Sequence, residues 1–584
     1  MSCKMPITRT NPNAVQLVLK SLWQDSLPVD IDFDIQAIQR FYYWALAATL
    51  IVAGLYLYLI VTIDNTNLGT TNGLWKSPAV AAWAQGKEGP IDGGEILYLK
   101  GYGYLSRLIP DDLVRYGFDF PFVTFRKMAL LNGIFGAIAS GFLFLLALGF
   151  SGSRSVAVIA LLAHAGAAYV LLNSINSEDI IPAYAFFLGS TTCLFAFLQS
   201  GRLWLGATSA ALLALATLFH WTLMGPGLLA FGAVFLLVAT RRKTILFVGI
   251  AWLAGFLVVT QALVLLAYPS RHIPIWAVVF SAKADSGGWV GFHAEKLIFL
   301  IVGMGNYFSG GNNFSDSQPA FQGANLHEAV SSWIYIILAT AACCATFFNK
   351  KSRLGLRSLA LFAIVLLLVG ECGAVYAQPA DPQFQVQPLL ATTAGVILLA
   401  RWWSRLGKFG AAVSVACSAI LIINGYSNVK LMQRTRGGDS QSVRTAQKLG
   451  EIFPKTKDTI VCIGWEGWLT WDFIAVWRGD SPGFLGSIVG LATPFTTYRG
   501  ISGPDAATGV RKQIDAAMAH GMRVVAAALW TETPQAFVPA IASVADQSRA
   551  RAFEAKLRTS YRLGQKWDTP VGPFVELLPA AVSK

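Results

Sequence analysis

The sequence predicts a polytopic α-helical membrane protein of about eleven transmembrane helices that ends in a small α/β soluble domain, and three observations carry that prediction. Hydrophobic residues make up 54% of the 584 and charged residues only 13%, with a mean hydropathy of +0.52, whereas soluble domains carry roughly 25% charge. Apolar runs of about 16 to 24 residues recur along the chain, each near the length that crosses a hydrocarbon core of about 30 Å. Basic residues gather in alternate loops, as short cytoplasmic loops require.

The elements follow in order. Residues 1–40 are polar, "MSCKMPITRT" onward, with no immediate apolar stretch of the kind a cleavable signal peptide has. They are expected to form a cytoplasmic N-terminal segment, with the first span retained as an anchor. Spans are expected near 41–62, 128–150, 155–173, 181–199, 203–219, 222–239, 244–267, 331–348, 357–375, 385–400 and 409–425. The basic loops "SGSRS" at 151, "SGRL" at 200, "TRRKT" at 240, "NKKSRLGLR" at 349 and "RWWSRLGK" at 401 then define the cytoplasmic face. The other loops, chiefly 63–127 and 268–330, are expected outside. Parity between "TRRKT" and "NKKSR" leaves "EKLIFLIVGMGNYF" at 295–308 as a short re-entrant or interfacial helix rather than a crossing. The transmembrane region thus spans 41–429, and 430–584 is expected as a periplasmic domain. There "TIVCIGW" at 459 and "MRVVAAALW" at 522 read as buried strands, with "GVRKQIDAAMAHGM" at 509 as an amphipathic helix between them.

The formal charge of +13 would suggest nucleic acid in a soluble chain, but in a membrane protein the placement of basic residues first reports topology. No nucleic-acid partner is expected. The seven cysteines, at 3, 193, 343, 344, 372, 417 and 462, lie mostly in apolar runs without CxxC or Cys/His spacing, so neither a zinc site nor a disulfide framework is indicated.

Candidate chemistry lies in the outer loops. The stretch "NSINSEDIIPAY" at 173–184 sets Glu178 and Asp179 between the third and fourth spans, where acids do not serve the positive-inside rule. The first span runs into "VTIDNTN", which sets Asp64 at the same membrane level. Carboxylates on one face can supply a general base for an acceptor hydroxyl and a second group that orients it or holds a cation. The bland alternative is that these are solvated loop acids or helix N-caps. In "YPSRHIPIWAVVFSAKADSGGW" at 268–289, Arg271, His272 and Lys283 sit among aromatics, an arrangement suited to a lipid phosphate, although an aromatic belt with snorkelling cations gives the same pattern. His220, in "LFHWTLMGPG" at 218–227, could reach a substrate or simply pack. Asp381 in "PADPQFQVQP" could hydrogen-bond a sugar with Gln383, Gln385 and Gln387, or belong to a plain connector. Glu371 in "LLVGECGAVY" is costly if it faces lipid and is expected to face a cavity. His164, alone inside span three, reads as a buried histidine. The tryptophans of "WEGWLTWDFIAVWRGD" at 465–480 could stack on sugar rings or pack a small domain's core.

Taken together, the acid after span one, the long first outer loop, the acidic loop between spans three and four, the "FHWT" turn and "YAQPADPQFQVQPLLATTAGVILL" at 376–399 resemble the GT-C superfamily of membrane glycosyltransferases. The resemblance covers the layout of nearly the whole chain and rests on architecture more than on a fixed string. It implies a polyprenyl-phosphate-linked sugar as donor, a glycan or lipid of the cell envelope as acceptor, and residence in a bacterial inner membrane with the active site and C-terminal domain facing the periplasm. By the same resemblance Asp64 would deprotonate the acceptor, while Glu178 and Asp179 would position the acceptor or a metal. No cofactor is required by this reading. A divalent cation, Mg or Mn, held by Asp64 and Asp179 is an open alternative, and the lone Asp of "IDNTN", where some relatives have paired acids, counts against it.

The donor is already activated, so the protein need orient the acceptor, take its proton and stabilise the departing phosphate. Arg271, His272 or Lys283 would do the last. Direct displacement with inversion is favoured, because Asp64 has no obvious partner carboxylate in its loop at the short separation that a covalent mechanism needs. A transporter or flippase of a lipid-linked substrate is the competing class, but it predicts intramembrane charges along a pathway and an internal repeat, and the sequence has neither. A ligase or polymerase transferring a whole lipid-linked glycan stays open, as does a glycan-binding scaffold, which would need neither Asp64 nor the Glu178/Asp179 pair.

Overall fold

The computed structural model describes residues 27–62, 71–87, 96–114, 122–177, 179–269, 273–274, 292, 296–310, 326–376, 386–436, 448, 451–453, 458–462, 488–490, 505–526, 559–569 and 572–579. All eleven segments expected as spans are helical: α1 Ile35–Thr62, α4 Phe122–Ser151, the pair α5 Arg154–Ala165 and α6 Ala168–Ile175, α7 Ile180–Ser200, α8 Leu203–Phe219, α9 Met224–Ala239, α10 Ile245–Ala267, α12 Leu326–Phe348, α13 Leu354–Tyr376, α14 Val386–Trp403 and α15 Gly407–Arg436. Between them lie α2 Thr71–Ala84 and α3 Tyr98–Ser106, inside the long loop after α1, and α11 Lys296–Gly305. Among the described residues eight helices are long and apolar enough to cross a membrane, or nine if α5 and α6 form one broken span. α8, of 17 residues, is apolar but shorter, and α14, of 18, is not among the eight. α11 has ten residues, about 15 Å of helix, half of what a crossing needs.

Burial sorts the bundle into a centre and a rim. α7 is 83% buried and α4 72%, whereas α10 and α12 are 22% buried and α15 11%. The rim helices therefore keep their apolar residues, such as Phe247, Ile250, Ile420 and Ile423, on the outside, as lipid-facing surfaces do. Glycines let the central helices close up. A Cβ on Gly136 of α4 would lie 2.3 Å from Ser174 Oγ, and one on Gly133 would lie 2.9 Å from Ile60 Cδ1. α1 and α6 thereby pack side by side against α4.

α5 and α6 meet at a bend of 66°. Carbonyls released by such a break must find partners, because lipid offers none. Tyr56 OH donates to Ala165 O at 3.2 Å and Asn428 Nδ2 donates to Gly166 O at 2.8 Å. Asn428 also donates to Phe308 O at 3.0 Å, and Gly310 N donates to Asn428 Oδ1 at 3.3 Å. Asn424, one turn earlier in α15, donates to Phe308 O at 3.1 Å and accepts from Ser309 Oγ at 2.6 Å. α15 thus staples the end of the short α11 segment to the broken helix.

The turns that carry the basic loops share one end of the bundle. An extended strap at 27–34 crosses that end with Leu27, Val29, Ile31 and Phe33 buried in alternation. Val29 N donates to Leu198 O at 2.8 Å, Asp34 N to Gly149 O at 2.6 Å, and Gln199 Oε1 accepts from both Ile31 N and Phe33 N. Arg353 pairs with Asp32 at 2.6 Å and Arg242 donates to Pro28 O at 3.3 Å. Gly355 is required there, since a Cβ would lie 1.5 Å from Ile31 O. α1 accordingly begins at Ile35, six residues before the expected span.

Toward the C-terminus, among the described residues, five strands form one sheet: β1 Asp458–Cys462, β2 Ile488–Gly490, β3 Arg523–Ala526, β4 Tyr561–Thr569 and β5 Gly572–Pro579, in the order β2-β1-β3-β5-β4. β1 runs parallel to β2 and β3, and β5 antiparallel to β3 and β4. The helix α16 Asp505–Ala519 precedes β3 and buries Ile514, and Tyr561 OH donates to Asp515 Oδ1 at 2.8 Å. The two expected strands and the helix between them are present, and the β4–β5 hairpin adds to them. The tryptophan-rich stretch 465–480 lies outside the described residues.

Candidate functional site

At the end of the bundle opposite the basic turns, α6 gives way to the turn that starts α7. Asp179 stands at the N-cap position of α7 yet makes no capping hydrogen bond with its side chain. Its carboxylate is fully buried and turns inward, where Oδ2 pairs with Lys76 Nζ of α2 and Oδ1 lies 3.4 Å from His220 Nε2. The Lys76 side chain is 7% exposed. A buried ammonium and a buried carboxylate hold each other's charge, because neither is tolerated alone at low dielectric.

Two tyrosines of α3 fix the turn beneath this pair. Tyr98 OH donates to Ser177 O at 3.0 Å, and its ring lies 5.6 Å from Lys76 Nζ, a cation–π contact. Tyr102 OH donates to Asn132 Oδ1 of α4, and Asn132 Nδ2 donates to Asn176 O at 2.9 Å. Burial first, and then the Asp179 charge, hold the Tyr102 phenol well above the usual tyrosine range, so it stays a donor. α3 reaches this position because Gly103 packs on α2, where a Cβ would lie 2.4 Å from Trp83 Cβ.

His220 closes α8 and is itself 3% exposed. Its Nδ1 lies 2.6 Å from Thr222 Oγ1, and Gln387 Nε2 of α14 lies 3.2 Å from the same oxygen and 3.3 Å from Thr222 O. Four elements meet at Asp179, namely α2, α3, the start of α7 and the α8–α9 turn, and the start of α14 adjoins them through Thr222. Nearby, Lys100 of α3 donates to Ala267 O and lies 4.8 Å from the Trp83 ring and 4.9 Å from that of Tyr268, whose hydroxyl donates to Ile96 O at 2.7 Å. The first loop is thereby tied to the root of the 268–330 loop.

Of the residues singled out from sequence, Asp179 and His220 come together. Glu371 is half-buried near the end of α13, next to Gly370, which packs on Pro388 and Gln387. Asp64, Glu178, Arg271, His272, Lys283 and Asp381 lie outside the described residues, α1 ending two residues before Asp64 and α10 four before Arg271. His164 is fully buried and stacks on Tyr184 at 5.6 Å. Lys76, Tyr98, Tyr102, Asn132 and Thr222 were missed by sequence reasoning. Lys76 alone had a signal, a cation interrupting the otherwise weakly polar "LWKSPAVAAWA". Among the described residues no three of His, Cys, Asp and Glu gather to hold a metal. An ammonium and an imidazole around Asp179 also do not suit a hard cation, which takes oxygen ligands.

Fold and site define a multi-pass membrane protein with a buried, charged constellation at the loop-bearing end. The chain has the fold of ArnT from Cupriavidus metallidurans: against its crystal structure bound to undecaprenyl phosphate the TM-score is 0.52 at 12% identity, covering 92% of this chain and 98% of that one. The apo ArnT structure matches over the same shares with a TM-score of 0.50. No family model matches the sequence, and no curated protein matches it either.

Proposed function

We propose that this protein is a GT-C membrane glycosyltransferase, transferring a sugar from a polyprenyl-phosphate-linked donor to a glycan or lipid acceptor of the cell envelope, on the periplasmic face of a bacterial inner membrane. The observation that carries the reading is the buried Asp179–Lys76–His220 cluster, set in the loops of a fold that in ArnT accommodates undecaprenyl phosphate.

In this mechanism Asp64 takes the proton of the acceptor hydroxyl as that oxygen attacks the anomeric carbon, and the polyprenyl phosphate leaves. Direct displacement with inversion needs no second nucleophile. Asp179 does not face solvent, so its part is to orient: it fixes Lys76 at the start of α7, and Glu178, the residue before it in sequence, acts on the acceptor. Arg271, His272 and Lys283 take the charge on the leaving phosphate. The cluster is already neutralised before substrate arrives, so its geometry costs no reorganisation during transfer.

Donor recognition is tested apart from turnover by titrating full-length protein in lipid nanodiscs with undecaprenyl phosphate. Wild type should bind saturably and Arg271→Ala/Lys283→Ala at least tenfold more weakly. Equal binding by both would remove these residues from the phosphate role, and no binding by wild type would count against the lipid-linked donor.

A further inference from the structure

Gln387 and Thr222 belong to no part of the mechanism above, yet together they fix the hydrogen-bonding state of His220. Thr222 O is a backbone carbonyl and accepts only, so the Gln387 side-chain atom 3.3 Å from it must be the amide nitrogen, which settles the orientation of that amide. The same nitrogen lies 3.2 Å from Thr222 Oγ1 and donates to it. On the other side of the ring a carboxylate only accepts, so Nε2, 3.4 Å from Asp179 Oδ1, carries the ring proton, and in the neutral imidazole the Thr222 hydroxyl hydrogen lies along the 2.6 Å contact to His220 Nδ1. Nδ1 then accepts.

We infer that Gln387 and Thr222 are positioning residues that hold His220 as a neutral imidazole protonated at Nε2, so that its N–H faces Asp179 Oδ1 at 3.4 Å while Lys76 pairs with Oδ2. In this arrangement His220 is an orienting donor. It is neither a base nor a contact for the substrate. Asp179 Oδ1 lies on the Nε2 side and Thr222 Oγ1 on the Nδ1 side, with Lys76 behind the one and Gln387 behind the other, and these contacts agree with that single tautomer. The span α14 enters the site through this relay: Gly370 of α13 packs on Gln387 and Pro388, where a Cβ would meet Gln387 Cβ at 3.6 Å and Pro388 Cδ at 3.1 Å. The inference rests on the reading of Asp179 as part of the transfer site only for its significance. The tautomer itself is read without activity.

The test is solid-state 15N spectroscopy of histidine-labelled full-length protein in lipid. The chain has six histidines, and His220→Gln identifies the resonances of interest. Wild type should show a protonated-type Nε2 and an unprotonated, hydrogen-bonded Nδ1. Gln387→Glu presents oxygens that only accept when ionised, so Thr222 must give them its hydrogen and then accept from Nδ1, while Asp179 still demands a proton on Nε2. Both nitrogens should then become protonated-type at the same pH. Thr222→Ser should keep the wild-type spectrum, and Thr222→Val should lose the hydrogen-bonded signature at Nδ1. A wild-type Nδ1–H tautomer, or a spectrum unmoved by both Gln387→Glu and Thr222→Val, would overturn the inference and leave the glycosyltransferase reading untouched.

Discussion

Replacing Lys76 with Met removes the cation from a carboxylate that has no access to water, and the structure bounds the result. Both side chains are buried, at 7% and 0% exposure, so breaking the pair belongs to the class of changes that costs about 3–5 kcal/mol. The loss has a ceiling, because Asp179 can take up a proton instead of staying charged. Neutralising an aspartate of ordinary pKa at pH 7 costs about 4 kcal/mol. His220 still faces the carboxylate from the other side, which moves the expectation to about 3 kcal/mol. The sign with pH follows. In the variant, burial raises the folded-state pKa of Asp179 above its unfolded value, so the protonated folded form is favoured at low pH and that advantage is lost as pH rises through the folded pKa. The deficit against wild type should therefore shrink from pH 8 toward pH 5. In Lys76→Met/Asp179→Asn no buried charge remains and the amide can still accept from His220, so the double variant should lie within about 1–2 kcal/mol of wild type, a coupling of at least ~2 kcal/mol. SDS-driven unfolding in mixed micelles, followed by tryptophan fluorescence, reads all four proteins. A Lys76→Met protein within about 0.5 kcal/mol of wild type, or a double variant as unstable as the sum of the singles, would refute the buried pair.

Other consequences are open to the same kind of measurement. Gly136→Ala should destabilise by about 1–3 kcal/mol through overpacking against Ser174 Oγ, 2.3 Å from the added carbon; Gly136→Ala/Ser174→Gly should recover most of it, and no recovery would put the strain elsewhere. Asn428→Leu removes the partner of Gly166 O and of Gly310 N, while Phe308 O keeps Asn424 and Ala168 N, and should cost about 2–6 kcal/mol, at 1–3 per buried group, with faster proteolysis beyond Gly310; an unchanged digestion pattern would remove α15 as the staple. Cysteines at 178 and 242, in otherwise equivalent cells, should be labelled by an impermeant maleimide from the outside only at 178, and labelling at 242 alone would invert the topology.

The sequence carried the spans because each announces itself by length: an apolar run near twenty residues needs no knowledge of its neighbours. It carried the basic turns for the same reason, and these indeed share one end with the strap at 27–34. The bend at Gly166 and Ala167 was not legible, because its carbonyls are satisfied by Tyr56 and Asn428, 109 and 262 residues away in sequence. The β4–β5 hairpin escaped because much of β4 is exposed, with Arg562, Leu563, Gln565 and Lys566 outward, so it lacks the apolar alternation that marks a half-buried strand. In the site, Asp179 was found as an acid out of place and Lys76 was not, since an ion pair across 103 residues leaves no local trace. The capping alternative for Asp179 was reasonable from its position before an apolar helix. The carboxylate turns away from the helix because a buried cation is within reach.

The central claim is tested most directly by the fate of the donor. Full-length protein in nanodiscs is given a panel of polyprenyl-phosphate sugars and an extract of envelope glycans, and wild type is compared with Asp64→Asn for release of free polyprenyl phosphate. The account predicts release from at least one donor by wild type and a loss of a hundredfold or more in the variant, with lipid binding retained. No release with any donor, or equal release by both proteins, would contradict it.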